Sequence, residues 1–391
     1  DVHITSKDSG SLLLGGLKGK NISVKAVNGV AAKEADDKAA QITAGEEAHI
    51  TSDDGNIALT NAAVTAQTVK LSAKNGITQS ASGTIKSHTL DVKSDGAVSL
   101  LGTQNRFPVL TMAGLSGDMV GGSVHIVNTG AMTVADLAAA GNVTIMQKGA
   151  LTTGAVKTVK AGAATGDVRL YTDDALTVQG DMDAAGSAEL TAEQDIELKN
   201  AVKIGKDLTA TATGSLTAAN VEAGDAATLN AGTQLTAQNV TAKVDAVLHA
   251  GTDLKALNVT TGKNVALTAE KNIAVHDVTA GGNVSLTAGH DAAIDGAVKT
   301  GDSAILTAKH DAVIGGAVTA GGDFSADTGN DLTVNGAVTA DKNLTLHTGN
   351  DLTLNGAALS HGMMEIDAGH DAKFNGSLTS DKNLSILAKN S

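Results

Sequence analysis

Apolar positions return every 19 or 20 residues along most of this 391-residue chain, most regularly from Val202 onward. The register Val202, Val221, Val240, Val259, Val278, Val298, Val318, Val338, Ala358 and Leu378 steps by 19 as far as Val278 and by 20 after it. Inside each repeat the local period is two, as in Val284-Ser285-Leu286, Ala292-Ala293-Ile294 and Ala297-Val298-Lys299. Alternation of that kind predicts three short strands per repeat and excludes helical repeats, which need longer stretches of 3.6-residue periodicity. A unit this short buries its apolar face only against the next one, so the chain reads as a solenoid. The predicted fold is an all-β parallel β-helix with three-sided coils of about 19–20 residues, stacked at the ~4.8 Å strand spacing.

The corners of the predicted coil are marked by small and polar residues. Asp295-Gly296, Gly315-Gly316, Asn335-Gly336, Asn355-Gly356 and Asn375-Gly376 hold one corner. Gly296, Gly316, Gly336, Gly356 and Gly376, with Asn335, Asn355 and Asn375, are therefore expected to form a turn ladder, the glycines accommodating left-handed backbone. A second corner carries Gly289-His290, Lys309-His310, Gly329-Asn330, Gly349-Asn350 and Gly369-His370.

Followed toward the N-terminus, the inward column reads Ile4, Val24, Ile50, Leu71, Val92, Ile126, Ile145, Leu170 and Leu190 before joining the regular repeats at Ala210. Three steps are long: 26 residues from Val24 to Ile50, 34 from Val92 to Ile126, and 25 from Ile145 to Leu170. Residues 25–49 and 93–123 are thus expected to be insertions or irregular coils. The first contains good helix formers across Val30–Asp37, which predicts a helical loop leaning on the coil. The second holds the only proline, Pro108, after Phe107, and has room for an extra irregular coil around Leu110. Residues 1–391 read as a single β-solenoid rod of roughly 90–100 Å, with 202–391 its most regular part.

Composition narrows this picture. Phe107, Phe324, Phe374 and Tyr171 are the whole set of phenylalanine, tyrosine and tryptophan residues, so the core must be built from Val, Leu, Ile and Ala. No cysteine is present, which removes disulfides and thiolate chemistry. A net charge of −14 with scattered lysines and no aromatic platform argues against nucleic acid as a partner. No apolar run approaches the ~18 residues of a membrane-spanning helix, and no cofactor motif is found.

Asp291, Asp311, Asp331, Asp351 and Asp371 recur at 20-residue spacing. Like charges ~4 Å apart cost about 1 kcal/mol even in water, so such a column calls for hydrogen-bonded turns or a cation. The turn reading has each carboxylate accepting from nearby backbone amides. The alternative is a calcium column, although the doubled glycines of nonapeptide calcium repeats are absent. His290 and His310 stand one coil apart and His370 in the same column; two imidazoles lacking a third ligand favour an exposed polar ladder over a metal site. No catalytic residues are assigned. A polysaccharide-active enzyme would need converging carboxylates, and here they repeat along the axis. An ice-binding face would need two regular threonine rows, and Thr279, Thr319 and Thr339 alternate with other residue types.

Gly281-Gly282-Asn283-Val284-Ser285-Leu286-Thr287-Ala288-Gly289, Gly329-Asn330-Asp331-Leu332-Thr333-Val334-Asn335-Gly336, and Gly122–Gly130 followed by Gly141–Ile145 resemble the shaft repeats of the filamentous haemagglutinin family. The resemblance covers most of the chain. It implies a right-handed parallel β-helix, a location outside the cell or on the bacterial outer surface, and export through an outer-membrane transporter of the two-partner type. It also implies a role in adhesion or contact-dependent competition. The family's asparagine-proline-asparagine export motif does not occur, so the chain resembles shaft without the export domain. The expected function is a non-catalytic shaft that displays a distal module. A second expectation is a fibre subunit: neither Val2-His3-Ile4 nor Leu384-Ser385-Ile386 carries a recognisable cap, which predicts further coils of the same or an identical chain at the open ends.

Overall fold

A computed structural model describes residues 1–33, 38–158 and 166–389, and among these every helical or extended element is a β-strand. The chain divides into two compact units, Asp1–Lys206 and Asp207–Ser391. Each is a parallel β-solenoid in which one strand of every coil joins a first sheet and the remainder joins a second.

Among the described residues of Asp207–Ser391 the first sheet has ten strands, from Leu208–Ala212 to Leu384–Ala388. Leu229, Leu248, Leu267, Leu286 and Leu306 stack in register through it. Alternation explains the element: in Val284–Ala288 the side chains of Val284, Leu286 and Ala288 are buried while Ser285 and Thr287 face outward. Fully burying one such leucine contributes ~1.5–3 kcal/mol. In the second sheet, Leu254–Thr261 and Ile273–Ala280 each run continuously around a bend, whereas later coils break there into pairs such as Ala292–Ile294 and Val298–Thr300.

The change of period is located by pairing. Val275 pairs with Ile294 and Val278 with Val298, so His276-Asp277 face three residues, Asp295-Gly296-Ala297, in the next coil. The twentieth residue therefore enters at a corner. Within a strand it would have turned every following core residue to solvent.

Among the described residues of Asp1–Lys206 the first sheet has nine strands, from Ser11–Leu14 to Ala188–Ala192. Its inward column runs Leu59, Gln79, Leu100, Ile126, Ile145, Leu170 and Leu190. Val92 lies in the other sheet and pairs with Met112. The expected continuity from Val92 to Ile126 is thus corrected: that step crosses between sheets, and part of its apparent length reflects the crossing. Leu110, expected in an extra irregular coil, pairs with Leu90 on one side and Val134 on the other. The helical loop is also corrected, because Gly29–Ala32 is a strand paired on both sides; Glu34–Asp37 lie outside the described residues. Pairing with the neighbouring strands satisfies the backbone there, overriding the weak helical preference. A bulge accompanies this coil, the register shifting between Gly19↔Ala44 and Asn21↔Glu47. Phe107 heads the largest fully buried side chains.

Candidate functional site

Polar side chains gather at the corners of Asp207–Ser391 and run from coil to coil as ladders. In the aspartate column, the Asp291 carboxylate accepts the backbone N–H of Asp311 at 3.1 Å, and Asp311, Asp331 and Asp351 repeat the bond toward Asp331, Asp351 and Asp371 at the same distance. The preceding residue of the next coil adds a side-chain donor: Asn330 to Asp311 and Asn350 to Asp331, both at 2.7 Å, and His370 to Asp351 at 2.9 Å. The carboxylates thus sit among donors. Hydrogen bonds to the charged form lower a carboxyl pKa. The His370 imidazole, followed by the Asp371 N–H, holds Asp351 below its ordinary value. At Asp291 partial burial pushes upward, but the Asp311 N–H and the imidazoles of His310 and His290 together outweigh it and the net shift is downward.

The expected turn ladder has a different physical basis from the one anticipated. Asn355 donates to Asn335 at 2.7 Å and Asn375 to Asn355 at 2.6 Å, forming an amide stack. The glycines beside them do not have left-handed backbone; among the described residues the left-handed glycines are Gly29, Gly76, Gly130 and Gly149. What demands glycine is proximity. A Cβ on Gly316 would lie 2.2 Å from the carbonyl oxygen of Gly296. The amide stack also exists in the 19-residue coils, as Asn239 to Asn220 and Asn258 to Asn239. A third corner carries a ladder that the sequence reading did not single out. There Asp245 accepts the N–H of Asn264, Asn264 that of Asn283, Asn283 that of Ser303, and Asp323 that of Asn343.

Histidines join these ladders. The rings of His290 and His310 stack with centroids 4.6 Å apart and planes inclined by 19°. The Asp291 carboxylate lies between their Nδ1 atoms, 3.0 Å from His290 and 2.9 Å from His310, and Asp311 approaches His310 Nδ1 at 3.2 Å. The hydrogen bond to Asp291 is the main cause that raises the His310 pKa. His361 is raised chiefly by its hydrogen bond to Asp381, at 2.8 Å, and His370 chiefly by Asp351.

Sequence reasoning missed a buried amide cluster in Asp1–Lys206. Gln79 and Asn105 exchange two side-chain hydrogen bonds at 2.9 and 2.8 Å, and Asn105 also accepts the Ile85 N–H at 2.8 Å. Asn128 accepts the N–H of Phe107 at 3.0 Å and donates to Gln147 at 3.2 Å. All four side chains are buried. The available signal was a glutamine standing at an inward position of the column, at Gln79.

The model of the hemagglutinin repeat matches residues 25–145 and 251–386, and a model of repeats of unknown function matches 150–203. No curated protein and no solved structure matches the chain.

Proposed function

Because the chain belongs to the hemagglutinin repeat family, an adhesin-like repeat protein, we propose that it is a non-catalytic shaft segment of a bacterial cell-surface filamentous adhesin or exoprotein. Its task in this reading is mechanical: it holds a distal module away from the cell. The observation that carries the reading is the direction of the polar chemistry. From Asp291 to Asp371 the carboxylates bond from coil to coil along the stack and do not converge on a cleft. Hydrolytic or lyase chemistry on sugars instead uses carboxylates facing one another across a bond.

Export through an outer-membrane transporter and a place on the outer cell surface belong to the same proposal, supported by the family. So does stacking by further coils of the same or an identical chain. Electron microscopy of the 391-residue chain tests the shaft. Slender unbranched particles are expected, lengthening with concentration if identical chains stack, while compact particles would overturn the proposal.

A further inference from the structure

His290 and His310, one coil apart, offer a metal only two ligands by themselves. Folding supplies a third. Asp291 turns its carboxylate between the two imidazoles, and ligand atoms of His290, Asp291 and His310 all lie within 4.8 Å of one another. We propose that these three residues form a site for a divalent transition-metal ion such as zinc or copper, with the Asp311 carboxylate beside it as a further oxygen.

Three features support this. First, the distances suit one ion. Metal–ligand bonds of about 2.0–2.2 Å, at angles between square and tetrahedral, place neighbouring ligand atoms roughly 2.9–3.5 Å apart. His290 Nδ1 lies 3.0 Å from Asp291 Oδ2, His310 Nδ1 lies 2.9 Å from Asp291 Oδ1, and His310 Nδ1 lies 3.2 Å from Asp311 Oδ2. A metal would take the place of the protons now shared in those bonds. Second, the two rings stack face to face. That stacking brings the Nδ1 atoms of adjacent coils to the same Asp291 carboxylate. Third, two nitrogens with carboxylate oxygen suit zinc or copper, whereas calcium takes six to eight oxygens.

The same column provides an internal comparison. Asp351, His370 and Asp371 make a similar grouping with one imidazole in place of two. Fewer nitrogen ligands predict weaker transition-metal binding there. All of these side chains are partly exposed, so an ion can reach them without unfolding the coil.

Isothermal titration of zinc chloride, and separately calcium chloride, into the full chain at pH 7.5 tests the site. One equivalent of zinc is expected to bind more tightly than any other, with no comparable calcium binding. His290→Gln and His310→Gln should each weaken that equivalent by about tenfold or more, while His370→Gln leaves it in place. Asp291→Asn should weaken it too, and its amide oxygen can still accept the Asp311 N–H, so the ladder is kept. Lowering the pH to 5.5 should weaken binding because protons compete for the imidazoles. Zinc-induced shifts of the His290 and His310 imidazole resonances would provide an independent readout. Absence of zinc binding, or binding unchanged in the His290→Gln/His310→Gln double variant, would overturn the proposal.

Discussion

Replacing Gly336 with alanine would place a methyl carbon 2.0 Å from the Gly316 carbonyl oxygen, 2.2 Å from its carbon and 2.6 Å from the Ala317 nitrogen. Comfortable carbon–oxygen contacts begin at roughly 3.3 Å, so the two coils must part locally by more than about 1 Å. The bonds joining them beside this corner, Asn335 N–H to Ile314 and Val318 N–H to Ala337, measure 2.8 and 2.9 Å. Stretched by that amount they leave hydrogen-bonding range, and losing two at about 1 kcal/mol each costs about 2 kcal/mol. Crowding adds about 1 kcal/mol or more, and the stiffer unfolded chain of the alanine variant offsets about 0.4–1 kcal/mol. The expected net destabilisation is about 2 kcal/mol, read by urea denaturation followed by far-ultraviolet circular dichroism. Gly336→Asn distinguishes the causes, because asparagine tolerates left-handed backbone but still carries a Cβ. It should be at least as damaging as alanine. A Gly336→Ala variant within about 0.5 kcal/mol of the parent, or an asparagine variant clearly more stable than the alanine one, would refute the close-approach explanation.

The His–Asp bonds make stability depend on pH in a defined sense. The pKa values of His310, His361 and His370 are raised on folding, so their contribution is fully present below the unfolded histidine value of about 6.5 and is lost as pH rises through the folded values. Melting temperature should fall across that window, and by less in His361→Gln. Asp291 and Asp351 are lowered, so their contribution disappears as pH falls from about 4 through the folded values, which acid titration of Asp351→Asn would show as a reduced loss. Asn105→Ala should cost about 3 kcal/mol, because it leaves the Ile85 N–H and the Gln79 amide without their buried partner, a change measurable by denaturant unfolding. Phe107→Ala should cost about 3–5 kcal/mol by the same measurement, since the side chain is fully buried.

Strand alternation and period were legible in the sequence because each coil repeats the same physical task. The valine register from Val221 to Val338 is the register of the sheet, and the added corner residue could be inferred from the rule that strands preserve their face. The column from Val92 to Ile126 was misread because inward residues of both sheets are the same small aliphatics. Only the partner strand says which sheet a burst belongs to, and Gln79 hid the true neighbour of Leu100. The cluster of Gln79, Asn105, Asn128 and Gln147 went unnoticed because burial of an amide depends on partners 19 or 26 positions away. The corner glycines were found, but their cause was not, since a demand for space and a demand for left-handed backbone select the same residue. His290, Asp291 and His310 were all visible. Their convergence rests on the stacking of two coils and the turn of one carboxylate, which no spacing records.

The backbone bonds that join coil to coil, such as Val298 N–H to Ala317 and Val318 N–H to Ala337, lie along the direction in which the coils stack. A pull in that direction loads the bonds of one coil boundary at a time and peels the end coil first. Each 20-residue coil shed would release roughly 66–72 Å of extended chain in place of the ~4.8 Å it occupied. Under load such a segment would yield by steps, lengthening more than tenfold wherever it unwinds while the remaining coils stay folded.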